Sequence, residues 1–87
     1  MKKLQEGLFF SLPTAEYLKF NNIYSGSFGE FNYKLFPDIE KNSVRVVVWK
    51  GKYSFEKSDL IFEENFIFED NLILKINEWL KIKKEEI

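Results

Sequence analysis

Two segments whose side chains alternate in character with a period of two, joined by a short turn, restrict the possible folds of this chain more than any other feature. The stretches FNYKLF (31–36) and SVRVVVWK (43–50) both have the period of two that is typical of half-buried strands. Between them, Pro37 and Asn42 favour a turn. Two strands with so short a link predict an antiparallel hairpin.

The C-terminal part of the chain has the periodicity of a helix. Its apolar residues recur at intervals of three and four: Leu72, Ile73, Ile76, Trp79 and Leu80. Asp70 stands where an N-cap is expected, and the lysines near the end suit the negative end of a helix dipole. We therefore predict a helix over about 70–84. Its apolar stripe needs a surface to cover, and the hairpin sheet provides one. The expected fold is α+β, an antiparallel sheet of three to four strands packed by one C-terminal helix.

The remaining segments are less determined by the sequence. Tyr53 and Phe55 suit a third strand, and residues 66–68 suit a short extended run. The Ser-Gly-Ser stretch at 25–27 has turn chemistry.

The first twenty residues allow two interpretations. Thr14 suits the N-cap of a short helical turn, whereas Leu18 and Phe20 around Lys19 suit the start of a strand. We expect residues 1–87 to form a single domain, with 1–20 as a segment that could be loosely attached.

The absence of two residue types removes several functions. The chain has no Cys and no His, so it has no thiolate chemistry and lacks the commonest side chain for acid–base work near neutral pH. Adjacent carboxylates such as Glu63 and Glu64 point to opposite faces of an extended segment and do not converge on one bond. A metal site with Asp59 is disfavoured because the calcium-loop pattern is missing. We expect no enzyme activity and no cofactor.

Charge is unevenly distributed, although the formal net charge is only −1. Residues 41–55 are basic, residues 56–70 are mostly acidic, and the helix is again basic. No run approaches the roughly 20 apolar residues that a membrane span needs. We expect a cytoplasmic protein that does not bind membranes.

The sheet face that the helix does not cover is the predicted binding surface. If Val44, Val46 and Val48 face the helix, Arg45 and Trp49 lie on the other side, which we call the second face. Aromatic and Arg side chains often anchor protein interfaces. The candidate contacts are Lys34, Phe36, Arg45, Trp49 and Lys50. An acidic alternative consists of Asp59, Glu63 and Glu64.

These features favour a non-enzymatic module that binds a protein partner. One alternative is single-stranded nucleic acid, because rings and cations on a sheet suit base stacking. Another is a structural protein that associates with itself, for example as a homodimer. A third is that residues 1–20 fold over the second face and bury it.

Three stretches carry a resemblance: YSGSFGEFNYKLFP, VVVWKGKYSFEKS and FIFEDNLILKINEWL. They resemble a group of small uncharacterised proteins from AT-rich bacteria and their mobile elements. The shared residues are Phe31, Tyr33, Lys34, Phe36, Pro37, Trp49, Gly51, Phe55, Glu56, Lys57, Trp79 and Leu80. The resemblance spans most of 23–82 and implies no particular activity. In size, composition and expected build the chain is also similar to phage-encoded inhibitors such as anti-CRISPR proteins, which suggests inhibition of a host defence protein.

Overall fold

A computed structural model describes residues 4–51 and 62–86. In these ranges the elements are α1 (Ala15–Lys19), β1 (Tyr24–Phe28), β2 (Phe31–Asp38), β3 (Ser43–Lys50), β4 (Phe62–Ile67) and α2 (Leu72–Glu86). The strands form one sheet in the order β1-β2-β3-β4, and each pair of neighbours is antiparallel. The predicted α+β fold, an antiparallel sheet with a C-terminal helix, is confirmed.

The predicted hairpin is the centre of this sheet. Tyr33 lies opposite Val48, and Leu35 lies opposite Val46. Strand β3 has the predicted bounds, whereas β2 continues beyond residue 36 to Asp38. The strand suggested for Tyr53 and Phe55 lies outside the described residues.

Strand β1 corrects the prediction of a turn at residues 25–27. The Ser-Gly-Ser stretch pairs with β2, and Gly26 lies opposite Tyr33. A Cβ at Gly26 would be 2.6 Å from atoms of the Tyr33 ring, so the ring occupies the space that any other side chain would need. The turn itself is at Gly29, whose φ of 63° favours glycine.

The C-terminal elements begin and end differently from the prediction. The extended run expected at 66–68 is β4, which begins at Phe62. Helix α2 begins at Leu72, so Asp70 lies in the preceding turn and is not its N-cap. Asn71, another residue type favoured as an N-cap, directly precedes the helix. Within residues 4–51 and 62–86, no helix is long and apolar enough to cross a membrane.

The N-terminal segment contains the helical turn and not the strand. The Thr14 hydroxyl accepts a hydrogen bond from the Tyr17 amide at 3.2 Å, which caps α1. The Phe10 amide donates to Asn77 Oδ1 of α2 at 3.2 Å, which joins this segment to the helix. Residues 4–20 and α2 therefore cover the same face of the sheet.

The core lies between the sheet and this covering layer. Its buried side chains are Phe10, Leu12, Leu18, Phe31, Tyr33, Leu35, Val44, Val46, Val48, Leu72, Ile73, Ile76 and Leu80. Tyr33 is fully buried, and its hydroxyl donates to the Ser11 carbonyl at 2.7 Å. Burial raises the pKa of Tyr33 well above its ordinary value.

Candidate functional site

The second face carries the predicted alternation of side chains. Pairing places Asn32 opposite Trp49, Lys34 opposite Val47, and Phe36 opposite Arg45. Glu63 of β4 lies next to Val47 on the same face. Because the register is regular, the sequence assigned the side chains of β2 and β3 to the correct sides of the sheet, whereas the position of Glu63 beside them was not predicted.

The expected exposure of Trp49 is wrong. Trp49 is 5% exposed, and its neighbour Val47 is fully buried. Neither belongs to the core cluster beneath α2. Alternation determines the side to which a side chain points, but packing against that side determines its exposure. The indole is therefore not available as an interface anchor.

Phe36 is the centre of a cluster in which the basic and acidic candidates meet. Lys34 Nζ lies 5.4 Å from the centre of the Phe36 ring, and Arg45 Cζ lies 5.8 Å from it. Both positions suit cation–π attraction. Arg45 Nε also donates to Glu63 Oε2 at 2.6 Å. We call Lys34, Phe36, Arg45 and Glu63 the Phe36 cluster.

Besides Trp49, two predicted contacts among the described residues, Lys50 and Glu64, do not belong to this cluster. Lys50 is four positions after Val46 on β3, and Glu64 of β4 lies opposite Val46. Both side chains are therefore on the same side of the sheet as the core valines. Both are exposed. Lys50 lines a depression of about 200 Å³ together with Phe28, Glu30, Phe31 and Lys84. Asp59 lies outside the described residues.

A polar groove of about 410 Å³ continues from the Phe36 cluster toward the β2–β3 turn. Its lining is mixed in charge and consists of Asn21, Phe36, Pro37, Asp38, Lys41, Ser43, Arg45 and Asn65. One acid and two cations leave no strong preference for a ligand of either sign. In the described ranges, no group of three or more carboxylates could hold a metal ion.

A second groove, which the sequence analysis did not anticipate, lies on the outer side of α2. Its volume is about 520 Å³, and we call it the helix groove. The lining residues are Phe66, Asn71, Leu74, Lys75, Glu78, Trp79 and Ile82. Leu74 is 57% exposed and Ile82 is 55% exposed. The Trp79 ring packs edge-on against the Phe66 ring, with 5.8 Å between the two ring centres.

The sequence contained a signal for this groove. Leu74 and Ile82 are eight positions apart, which places them about 12 Å apart along one side of a helix with 1.5 Å rise per residue. They lie outside the stripe of Leu72, Ile76 and Leu80 that packs into the core. An apolar pair away from the buried stripe is therefore the feature that could have identified the groove.

The rim of the helix groove carries balanced charge. Lys75 is paired with Glu69, and Glu78 lies 4.0 Å from Lys81. Lys83 Nζ lies 5.9 Å from the Trp79 ring and 4.7 Å from the Phe62 ring. These exposed pairs contribute little energy. Contact in the groove would therefore depend on its apolar side chains.

No protein-family model, curated protein or solved structure matches the chain.

Proposed function

We propose that the protein is a non-enzymatic module that binds a protein partner through the helix groove. The observation that carries this proposal is the exposure of Leu74 and Ile82, each more than half exposed, beside Trp79, whose ring packs against Phe66. Adjacent exposed apolar side chains of this kind provide surface that a partner could bury. Trp is also among the residues that contribute most to binding energy at interfaces.

The mostly apolar lining of the groove favours an apolar segment of the partner. It follows one side of α2 and is bounded by Phe66 of β4. An amphipathic helix can place apolar side chains between Leu74 and Ile82, as in helix-in-groove recognition. The charged rim of Lys75 and Glu78 would remain at the edge of such a contact, where it affects specificity more than affinity.

The Phe36 cluster lies on the sheet face opposite α2 and is a separate candidate contact surface. Phe36 is half-buried between two cations and borders the polar groove. It retains three of the basic and aromatic candidates from the sequence, without Trp49. Binding of single-stranded nucleic acid to this face would have one ring fewer for stacking, and Arg45 is already paired with Glu63. Protein binding is therefore favoured.

Inhibition of a host defence protein, as by an anti-CRISPR protein encoded by a phage or mobile element, is the biological role that we propose for such binding. It would require only that the partner lose activity when the groove is filled. The chain would supply binding surface and no chemistry.

The test compares two isoleucines that receive the same charge. Ile82→Glu places a carboxylate in the helix groove, whereas Ile39→Glu places one at a site 44% exposed in the β2–β3 turn. A partner is recovered from the host with the wild-type chain, identified and purified, and its affinity for each variant is then measured by calorimetry. We expect Ile82→Glu to weaken binding by about thirtyfold, as for an interface anchor worth about 2 kcal/mol.

Ile39→Glu should bind as the wild type does, and circular dichroism should show both variants folded. Equal affinity of the Ile82→Glu variant and the wild type would refute the proposed role of the helix groove. Activity of the partner, assayed with and without the chain, tests the inhibitor role separately.

A further inference from the structure

Within residues 4–51 and 62–86, strand β1 is an edge strand whose own sequence lacks the usual features that prevent pairing. Among the described residues, its hydrogen-bonded neighbour in the sheet is β2 alone. Edge strands are commonly protected by charged side chains, proline or bulges. The stretch FNNIYSGSFG at 20–29 contains no charged residue and no proline. Its five pairs with β2 are consecutive and leave no bulge.

The hairpin geometry determines which backbone groups of β1 point outward. Gly29 and Glu30 form a two-residue loop between Phe28 and Phe31. In such a hairpin the closing pair exchanges hydrogen bonds, and every second pair along the strands does the same. Tyr24, Gly26 and Phe28 therefore bond to β2. The N–H and C=O groups of Ser25 and Ser27 point away from the sheet.

The sequence of β1 is palindromic in residue type. YSGSF has an aromatic residue at each end, a serine on each side of the centre, and Gly26 in the middle. Two antiparallel copies of such a strand place like residue types opposite each other. With a two-fold axis at Gly26, Ser25 lies opposite Ser27 of the other copy, and Tyr24 lies opposite Phe28.

We propose that β1 pairs with β1 of a second copy of this chain and so forms a homodimer with a continuous eight-stranded sheet. The register about Gly26 uses all four outward backbone groups of Ser25 and Ser27 in each copy. It also forms two cross-strand aromatic pairs, a favourable kind of contact between antiparallel strands. This inference does not rest on the function proposed for the helix groove.

The side chains next to β1 are compatible with this pairing. The two central glycines have no Cβ, which permits close approach of the two backbones. Phe28 is 45% exposed and Ile23 is 53% exposed, so both have apolar surface left to bury. Ile23 would lie opposite Gly29 of the second copy, where no side chain competes for the space. No charged residue lies opposite another in this register.

The test uses two double variants that share a glutamate at position 25 and differ only at position 27. In Ser25→Glu/Ser27→Glu, which we call the Glu/Glu variant, each introduced glutamate lies opposite another glutamate of the second copy. In Ser25→Glu/Ser27→Lys, the Glu/Lys variant, it lies opposite a lysine. In both variants the glutamate at position 25 lies opposite Lys34 of the same chain. The contact between β1 and β2 at this position is therefore the same in the two variants. Their masses are measured by sedimentation equilibrium over a range of concentrations.

We expect the wild type and the Glu/Lys variant to reach twice the chain mass of 10.5 kDa. The Glu/Glu variant should dissociate at least about tenfold more readily than the Glu/Lys variant, because it replaces two attractive pairs by two repulsive ones. In the wild type, the Ser25 and Ser27 amides should also exchange hydrogen slowly at high concentration and rapidly after dilution.

Three results would overturn the proposal. One is a wild-type chain that remains monomeric at every concentration. Another is a dimer that the Glu/Glu variant leaves intact. The third is a dimer that the Ile82→Glu substitution dissociates and the Glu/Glu variant does not. That result would assign self-association to the helix groove. Binding of a different protein through that groove can fail without affecting any of these measurements.

Discussion

Replacing Gly26 by alanine tests the close approach of the β1 backbone to the Tyr33 ring. The backbone of Gly26 is in an ordinary extended conformation, because its φ is not positive. Any cost of alanine at this position therefore comes from lack of space and not from backbone strain. Its Cβ would lie 2.6 Å from Cε2, Cζ and Oη of Tyr33, closer than carbon atoms approach in real structures. Tyr33 cannot move away easily, since it is fully buried and bonded to Ser11.

Two opposing terms set the size of the effect. Alanine at a compatible position stabilises a fold by about 0.4–1 kcal/mol, because it restricts the unfolded chain. Overpacking a buried site costs about 1–3 kcal/mol. We therefore expect Gly26→Ala to lower the free energy of unfolding by about 1 kcal/mol. With a urea dependence of about 1 kcal/mol per M, the midpoint should fall by about 1 M.

The assay is urea unfolding at one low protein concentration, so that self-association does not contribute. The same substitution in a Tyr33→Leu background should be neutral or stabilising, because the ring is gone. Gly29→Ala is the control, since a Cβ there meets no atom within 4 Å and its cost comes from a φ of 63°. That cost, about 1 kcal/mol, should be the same in both backgrounds. A Gly26→Ala cost that persists without the Tyr33 ring would refute the steric explanation.

Two further predictions concern buried aromatic residues. Burial raises the pKa of Tyr33, so as the pH rises above about 10 the phenol ionises in the unfolded chain before it does in the folded protein. The free energy of unfolding should therefore fall in this pH range, by up to about 1.4 kcal/mol per pH unit. The Tyr33→Phe variant has no phenol at this position, so the difference between its free energy of unfolding and that of the wild type should become smaller above about pH 10. Unfolding curves at increasing pH measure this difference, and a difference that stays constant would contradict the raised pKa of Tyr33. In a Trp79→Phe chain, emission from Trp49 should resist acrylamide quenching, since the indole is 5% exposed. Quenching as strong as that of free tryptophan would contradict its burial.

The central strands and the helix were predictable because their signals are local. Period-two alternation determined β2 and β3, and the apolar stripe determined α2. Strand β1 was not predictable in this way. Its Ser-Gly-Ser composition favours a turn, and the reason for the glycine is the ring of Tyr33 on the neighbouring strand. A contact between strands overrides local propensity here, as is common in sheets.

The candidate site was predicted only in part, for a similar reason. Alternation placed Phe36 and Arg45 on one face, and the structure brings them together with Glu63, which the sequence had assigned to a separate acidic surface. It also assigned Trp49 to that face correctly, but it contains no information about what packs there. The helix groove was not predicted, because the apolar periodicity of α2 identifies the stripe that packs into the core and contains no information on what lies beside Leu74 and Ile82.

The two proposed interfaces lie at opposite edges of the sheet. The helix groove is bounded by Phe66 of β4, and β4 is three strands away from β1 in the sheet order. With strands about 4.8 Å apart, the two edges are separated by about 14 Å. Pairing through β1 would therefore leave the helix groove of each copy uncovered, near the outer edges of the eight-stranded sheet. A dimer would then present two identical grooves, and a partner with two binding sites would gain affinity from simultaneous engagement. The Ser25→Glu/Ser27→Glu variant should lose this gain, while its affinity for a partner with one site remains that of the wild type.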